Sequence, residues 1–308
     1  MQSTESNVRQ EPSSGKILGI NPDAKGSRKS RPRRKGRNLS PERQASLALA
    51  RSRMYLLLSL GFRYPSEETF ECLKIECEAV REAIRKGFLP AATADGSLQE
   101  EVERLAAFLE DLDFPKFEAE YLRVFTHVIT SDCHPCETAY TATHLFQQAN
   151  KLSDLNGFYR AFGVTPGTER PDHVSVEAEF MAYLAQKEAR AASTGRPRRA
   201  SAMYRTQVAF LETHLGPWVR VFAKFVAIKA PSGPHHCLAN LVSRFFPWEF
   251  AEQGARVHEI SGPPKPLPLM QQKEMETEDD ECPVFELACS RQGVLGTHAD
   301  TFGLGGDD

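Results

Sequence analysis

Five consecutive residues, Glu169, Arg170, Pro171, Asp172 and His173, gather two carboxylates, a guanidinium and an imidazole. They follow a glycine-bearing stop at Gly163–Gly167 and precede a helical pattern that opens at Val174. An acid just ahead of a helix accepts from free backbone N–H groups and suits the dipole, so Asp172 is predicted to cap that helix. Carboxylates in such a cluster can also grip a guanidinium bidentately. An imidazole beside them can change charge near neutral pH. A second cluster, Cys133-His134-Pro135-Cys136, spaces two thiols as metal or redox sites do. A zinc site would need Cys282 and Cys289 as well, and these lie far off in the tail. Disulfide exchange of the thioredoxin kind needs a stranded fold, and no run alternates in the strand pattern. No glycine-rich phosphate loop and no nucleophile–base pairing stands out, so a hydrolase or transferase is the least expected class.

The elements that must position these residues read as helix after helix. Pro41 and Glu42 open the first, with Leu47, Ala50, Met54, Leu57 and Leu58 at helical spacing, and it ends near Gly61. Ser66 caps a second, carrying Phe70, Leu73, Cys77, Val80 and Ile84. Ser97 and Glu100 form a capping-box pair for a third. Pro115 starts a fourth, on which Tyr121, Val124 and Phe125 share one face. The pattern predicts an unbroken helix from Glu137 to Phe162, then one from His173 to about Ala192, and a loop over 193–199. Two pieces, 202–214 and 217–229, are predicted to part near Gly216-Pro217, and a last helix to span 235–246. The prediction is an all-α, single helical-bundle domain over 41–250.

Charge is unevenly placed. Residues 1–40 hold ten Lys+Arg and three acids, whereas 262–308 hold three Lys+Arg and ten acids. The overall charge of −3 therefore leaves −3 for residues 41–261. The basic arm 1–40 and the Pro-rich, then acidic tail 251–308 are too poor in apolar residues to offset their ordering entropy, and both are predicted to be disordered. The arm lacks interleaved aromatics, so no stable nucleic-acid partner is expected. Arg33-Arg34 has no apolar run directly behind it, which argues against a leader peptide. No stretch is apolar for long enough to insert in a membrane. Seven cysteines without framework spacing suit a reducing compartment, and the chain is placed in the cytoplasm.

Three pieces in order, Tyr121-Leu122-Arg123-Val124-Phe125, Pro135-Cys136-Glu137 and Glu169–His173, resemble the TorD/DmsD/NarJ family of chaperones for molybdenum-containing oxidoreductases. His214-Leu215-Gly216-Pro217-Trp218 is similar to another of the family's helix starts, and the likeness covers roughly 45–250. Val124 stands where the family has leucine, and Cys136 where an aromatic is common. The resemblance implies a TorD-like bundle, monomeric or homodimeric, that is a binder and not an enzyme and has no cofactor of its own. It implies as partners the apo catalytic subunit of a molybdopterin oxidoreductase of the dimethylsulfoxide reductase type and that subunit's twin-arginine signal peptide. Carried over residue by residue, the binding site would be Tyr121, Val124, Phe125, Pro135, Cys136, Glu137, Glu169, Asp172 and His173. The reading from another class is a metal-binding or redox-sensing helical protein using Cys133, Cys136, Cys282 and Cys289.

Overall fold

The computed structural model describes residues 39–125, 133–167 and 169–265. The basic arm, the acidic run of the tail, Cys282 and Cys289 lie outside them. α1 (Pro41–Phe62) begins with Ser40 accepting from the Arg43 N–H and proline at the first helical position. Tyr64-Pro65 cannot continue it. α2 (Glu67–Arg85) opens on a reciprocal capping box of Ser66 and Thr69. A minimal antiparallel pair, β1 (Ala92–Thr93) and β2 (Gly96–Ser97), leads into α3 (Leu98–Asp111). Then come α4 (Phe114–Phe125), α5 (Thr138–Thr141), α6 (Leu145–Ala161), α7 (Val174–Ser193), α8 (Pro197–Phe210), a π turn (Leu211–Leu215), α9 (Gly216–Lys229) and α10 (Pro234–Gln253).

α7 is the axis of the bundle. Fifteen of its twenty residues are buried, so it presents no solvated face along most of its length. α1 packs along it more extensively than any other pair of helices does. Buried small residues on both helices, among them Ala48 and Ala50 on α1 and Ala178, Ala182 and Ala185 on α7, let the backbones approach, and Ser52 donates to the Ala182 carbonyl at 2.8 Å. Around this axis Phe62, Phe180, Phe210, Trp218, Phe222, Phe245 and Phe246 fill one continuous core.

Four expectations about the helices are corrected. The predicted helix over 137–162 breaks at residues 142–144. There the His144 ring caps α6 and the Gln147 side chain accepts from both the N–H and the hydroxyl of Thr143, at 2.7 Å each. The loop after α7 is shorter than expected, because Pro197 is the first residue of α8. Gly216-Pro217 does not separate two helices: the chain runs on through a π turn, and the Gly216 N–H donates to the Leu211 carbonyl. A Cβ on Gly216 would lie 2.3 Å from that same oxygen, which is why glycine stands there. Pro217 has no N–H for the Thr213 carbonyl four residues back, and Lys151 Nζ donates to it instead at 3.0 Å. α10 continues past Pro247 to Gln253, held by the buried groups beyond the proline.

Those groups belong to a polar network in the core. Arg51 donates through Nε and Nη2 to Glu249, with the shortest contact at 2.6 Å, and Nη2 also reaches Gln207 Oε1 at 2.6 Å. Its Nη1 reaches Glu188 at 3.4 Å, and Tyr55 donates to Glu249 at 3.0 Å. Burial raises the pKa of Glu249, and Arg51 opposes the rise. Arg51→Met would strand two buried carboxylates, a loss of about 3–5 kcal/mol. The urea midpoint should fall accordingly, and Arg51→Met combined with Glu249→Leu should be less destabilised than the single variant. A double variant weaker by the sum of the two singles would show that the network is not coupled.

Candidate functional site

The Pro135–Glu137 turn and the Asp172–His173 run, far apart in sequence, are pinned to each other by backbone. Val174 N–H donates to the Pro135 carbonyl and Glu137 N–H to the Asp172 carbonyl, both at 2.8 Å, around a bridge between Cys136 and His173. Asp172 caps a helix, but it caps α5 and not α7: its Oδ2 accepts from the Thr138 hydroxyl at 2.6 Å and the Thr138 N–H at 3.2 Å. Its remaining acceptor capacity is taken by Arg170, whose Nε reaches Oδ1 at 2.9 Å and Nη2 reaches Oδ2 at 3.1 Å. Burial works against the Arg170 charge, yet Asp172 beside it leaves its pKa raised. The bidentate grip foreseen for a partner's guanidinium is thus made within the chain.

His173 is the residue that caps α7. Its Nδ1 accepts from the Ser175 N–H at 3.2 Å and lies 2.7 Å from the Ser175 hydroxyl. Burial, the largest influence, pushes its pKa down to about 3, outweighing Asp172. The imidazole is therefore neutral at physiological pH, and the expectation that its charge tunes binding near neutrality is corrected.

Glu137 is fully buried and also engaged. Lys151 Nζ lies 2.9 Å from one carboxylate oxygen and His214 Nδ1 3.0 Å from the other, while His214 Nε2 faces Asp154 at 3.1 Å. The π turn puts His214 in this position, and Lys151 joins the same turn through the Thr213 carbonyl. Glu177, one turn into α7, is buried with one oxygen receiving Trp218 Nε1 at 3.3 Å and the other without a partner among the described residues. Burial first, then the Glu137 and Asp172 charges, hold its carboxyl well above the usual carboxylate range.

Beside this junction stands an aromatic wall. Tyr121 and Phe125 have ring centroids 4.8 Å apart; Phe125 lies over Phe222 at 6.2 Å, and Tyr64 meets Tyr121 edge-on at 5.5 Å. His235 sits among them, 5.5 Å from Phe125, with Nδ1 on Glu120 at 3.0 Å and Nε2 buried without a partner. Burial raises the pKa of Tyr121, and the Glu169 charge adds to it.

The nine predicted residues therefore come together but divide in exposure. Tyr121, Val124, Cys136, Glu137, Asp172 and His173 are buried framework; Phe125, Pro135 and Glu169 are half-exposed. Glu169 alone among the acids of the two motifs has no hydrogen bond or ion pair among the described residues. Cys133 is buried and its thiol reaches the Val124 carbonyl at 3.4 Å. Burial, then Asp172, pushes the Cys136 thiol far up, the reverse of what a nucleophile or a metal-binding thiolate needs. No group of three or more metal-ligating side chains is assembled among the described residues. The sequence reading gave no site role to Lys151, His214 or His235; His214 entered only as part of a helix start, and Lys151 lies at helical spacing among Gln147, Gln148 and Asp154, where nothing marks it. Arg170 lay in plain sight between the two acids, two residues from its partner.

The family model for the nitrate reductase delta subunit matches residues 92–224, a span holding all nine. The chain is 32% identical over 210 residues to the perchlorate reductase assembly chaperone protein of Dechloromonas aromatica (strain RCB), covering 64% of this chain and 87% of that one. It is also similar to the crystal structure of a candidate redox enzyme maturation protein from Archaeoglobus fulgidus, at 19% identity and a TM-score of 0.39, over 62% of this chain and 91% of that one. That last likeness is too low to bear on the argument. The chain belongs to the TorD/DmsD/NarJ family of redox-enzyme maturation chaperones. No helix among the described residues is long and apolar enough to cross a membrane.

Glu177 gives the site a pH signature. Its folded pKa lies above its unfolded one, so the stability tied to its proton is complete below about pH 4.5 and is lost as pH rises through the folded value. Glu177→Gln keeps the shape and the Trp218 contact without that loss. Its thermal midpoint should exceed that of the wild type by more at about pH 8 than at about pH 5. An equal difference at both would refute the assignment of a neutral Glu177.

Proposed function

We propose that this chain is a cytoplasmic, non-catalytic assembly chaperone for the catalytic subunit of a molybdopterin oxidoreductase of the dimethylsulfoxide reductase type. It binds the apo subunit together with its twin-arginine signal peptide, and keeps it open until the molybdenum cofactor is inserted. The observation that carries this reading is the similarity to an assembly chaperone over 87% of that protein's length. The geometry supports a peptide site made of Glu169 with the ring edges of Phe125 and Tyr64, backed by the buried Tyr121. Glu169 is a carboxylate without a partner among the described residues, open to a guanidinium, and the ring edges supply apolar wall for the hydrophobic stretch that follows the arginines. Asp172, His173, Cys136 and Glu137 serve by holding the loop that carries Glu169, since their own polar atoms are spent internally. Moderate affinity fits the role, because the client must leave.

Two measurements test it. Affinity purification of the tagged chain from its own cells, grown without oxygen, should recover a molybdopterin oxidoreductase subunit; repeated recovery without one would remove the client assignment. A peptide bearing paired arginines and an apolar run should bind the purified protein, and Glu169→Gln should weaken it roughly tenfold, about 1.4 kcal/mol. The same variant should leave the urea midpoint unchanged, which separates a contact residue from a framework one. Undiminished binding would take Glu169 out of the site.

A further inference from the structure

The end of the bundle where α7 gives way to α8 is densely cationic. Lys187, Arg190, Arg196, Arg198, Arg199 and Arg205 are all exposed there, and Glu188 is the only acid between positions 187 and 205. Glu188 is itself buried and spent on Arg51 and Gln207. Arg43 joins this end, because Ala45 packs against Ala191, Ala192 and Ala200 and so brings the start of α1 beside the α7–α8 turn. Glu42, exposed in the same first turn, is the acid next to it. None of the seven cations has an ion pair among the described residues. Lys187 lies 4.9 Å from the Tyr183 ring, and Arg205 donates only to the Ser201 hydroxyl at 3.0 Å. Like charges crowded this way repel one another until an anion arrives.

The chain carries a matching anion. Residues 274–281 contain six acids in eight positions, Glu274, Glu276, Glu278, Asp279, Asp280 and Glu281. The described backbone fixes where the segment leading to them departs. Beyond α10 the chain crosses the start of α9, where Ile260 N–H donates to the Pro217 carbonyl at 2.9 Å, and ends with Lys265 N–H on the Ala139 carbonyl at 2.7 Å. α5 is pinned at the start of α7, so the cationic end lies about one length of α7 away, roughly 30 Å for twenty residues. Glu274 is nine residues beyond Lys265 and Glu281 sixteen, an extended reach of about 30 to 50 Å. The acidic run can therefore span the gap, and tethering gives it an effective concentration on the order of millimolar. A lipid surface or a nucleic acid would meet the same cations but must come from outside and compete with a ligand that is already attached.

We propose that residues 274–281 dock on the cationic end formed by Arg43, Lys187, Arg190, Arg196, Arg198, Arg199 and Arg205, and keep it closed to other polyanions. The full-length chain with Arg198→Lys and Arg199→Lys keeps the charge and supplies amines for carbodiimide coupling to carboxylates. Mass spectrometry should find crosslinks within one chain from 274–281 to the amines at positions 187, 198 and 199. Adding Arg190→Glu and Arg196→Glu should cut their yield at least about fivefold, as should raising the salt to shorten the Debye length to about 3 Å. Absence of these crosslinks overturns the proposal. So does a yield indifferent to charge reversal, and so do crosslinks found only between differently isotope-labelled copies. As a second readout, neutralising the six acids to glutamine or asparagine in the otherwise intact chain should strengthen binding to phosphatidylserine vesicles at least about tenfold. Unchanged binding would also overturn it.

Discussion

Three carboxylates buried on one helix dictate what surrounds it. Glu177, Glu179 and Glu188 all point into the interior from α7, and a buried carboxylate is tolerated only with a donor or a proton. Arg51 and Arg63 on and after α1 answer Glu188 and Glu179, and Trp218 on α9 answers Glu177. Gln207 on α8 and Glu249 on α10 complete the set through Arg51. Apolar packing alone would allow helices of similar shape to slide or exchange places. These pairings allow one arrangement, because any other leaves a charge without its partner. The start of α7 is fixed in the same way, and the loop that forms the candidate site is simply the point where this helix meets the surface.

At that point the protein consumes most of its own polar capacity. Asp172 holds Arg170 and Thr138, Glu137 holds Lys151 and His214, and His173 holds Ser175. A motif that looks in sequence like a ready receptor for guanidinium is in three dimensions largely a clamp between two loops. What faces outward is small: one half-exposed carboxylate, the edge of an aromatic wall, and a half-exposed arginine. Such a surface suits reversible recognition of a short cationic and apolar segment better than deep enclosure of a ligand.

The helices were legible wherever an end is marked by local chemistry. Ser40, Ser66 and Ser97 cap as their positions promise, and Gly163 ends α6 in the left-handed region. Legibility failed where tertiary partners overrule a local signal. Pro247 reads as a stop, yet Glu249 and Gln253 beyond it belong to the Arg51 network and hold the helix together. Gly216-Pro217 reads as a break, yet Lys151 supplies the donor that proline lacks. Residues 142–144 carry no glycine or proline, and only the cap formed by His144 with the Thr143–Gln147 pair reveals the interruption. The site was legible as a neighbourhood and not as a set of roles: the motifs meet, but which carboxylate remains free depends on partners contributed by α6 and by the π turn, which no spacing rule along the chain could supply.

The π turn has a consequence for how this chain tolerates change in length. A π turn accommodates one residue more than an α-helix would between the same two ends. Deleting one residue from 211–215 would restore ordinary helical winding between the same two ends, whereas winding all five residues as α-helix would rotate everything beyond them by about 100° about the axis. In that second case His214 would swing off Glu137, and Trp218 and Phe222 would leave the core together. The segment thus works as a phase adjuster: it lets α8 keep one apolar face inward and α9 another, although the two form one uninterrupted rod. A chain one residue shorter at this turn should therefore keep α9 in phase, whereas other changes in length belong at the α6–α7 and α7–α8 connections, where no phase has to be kept.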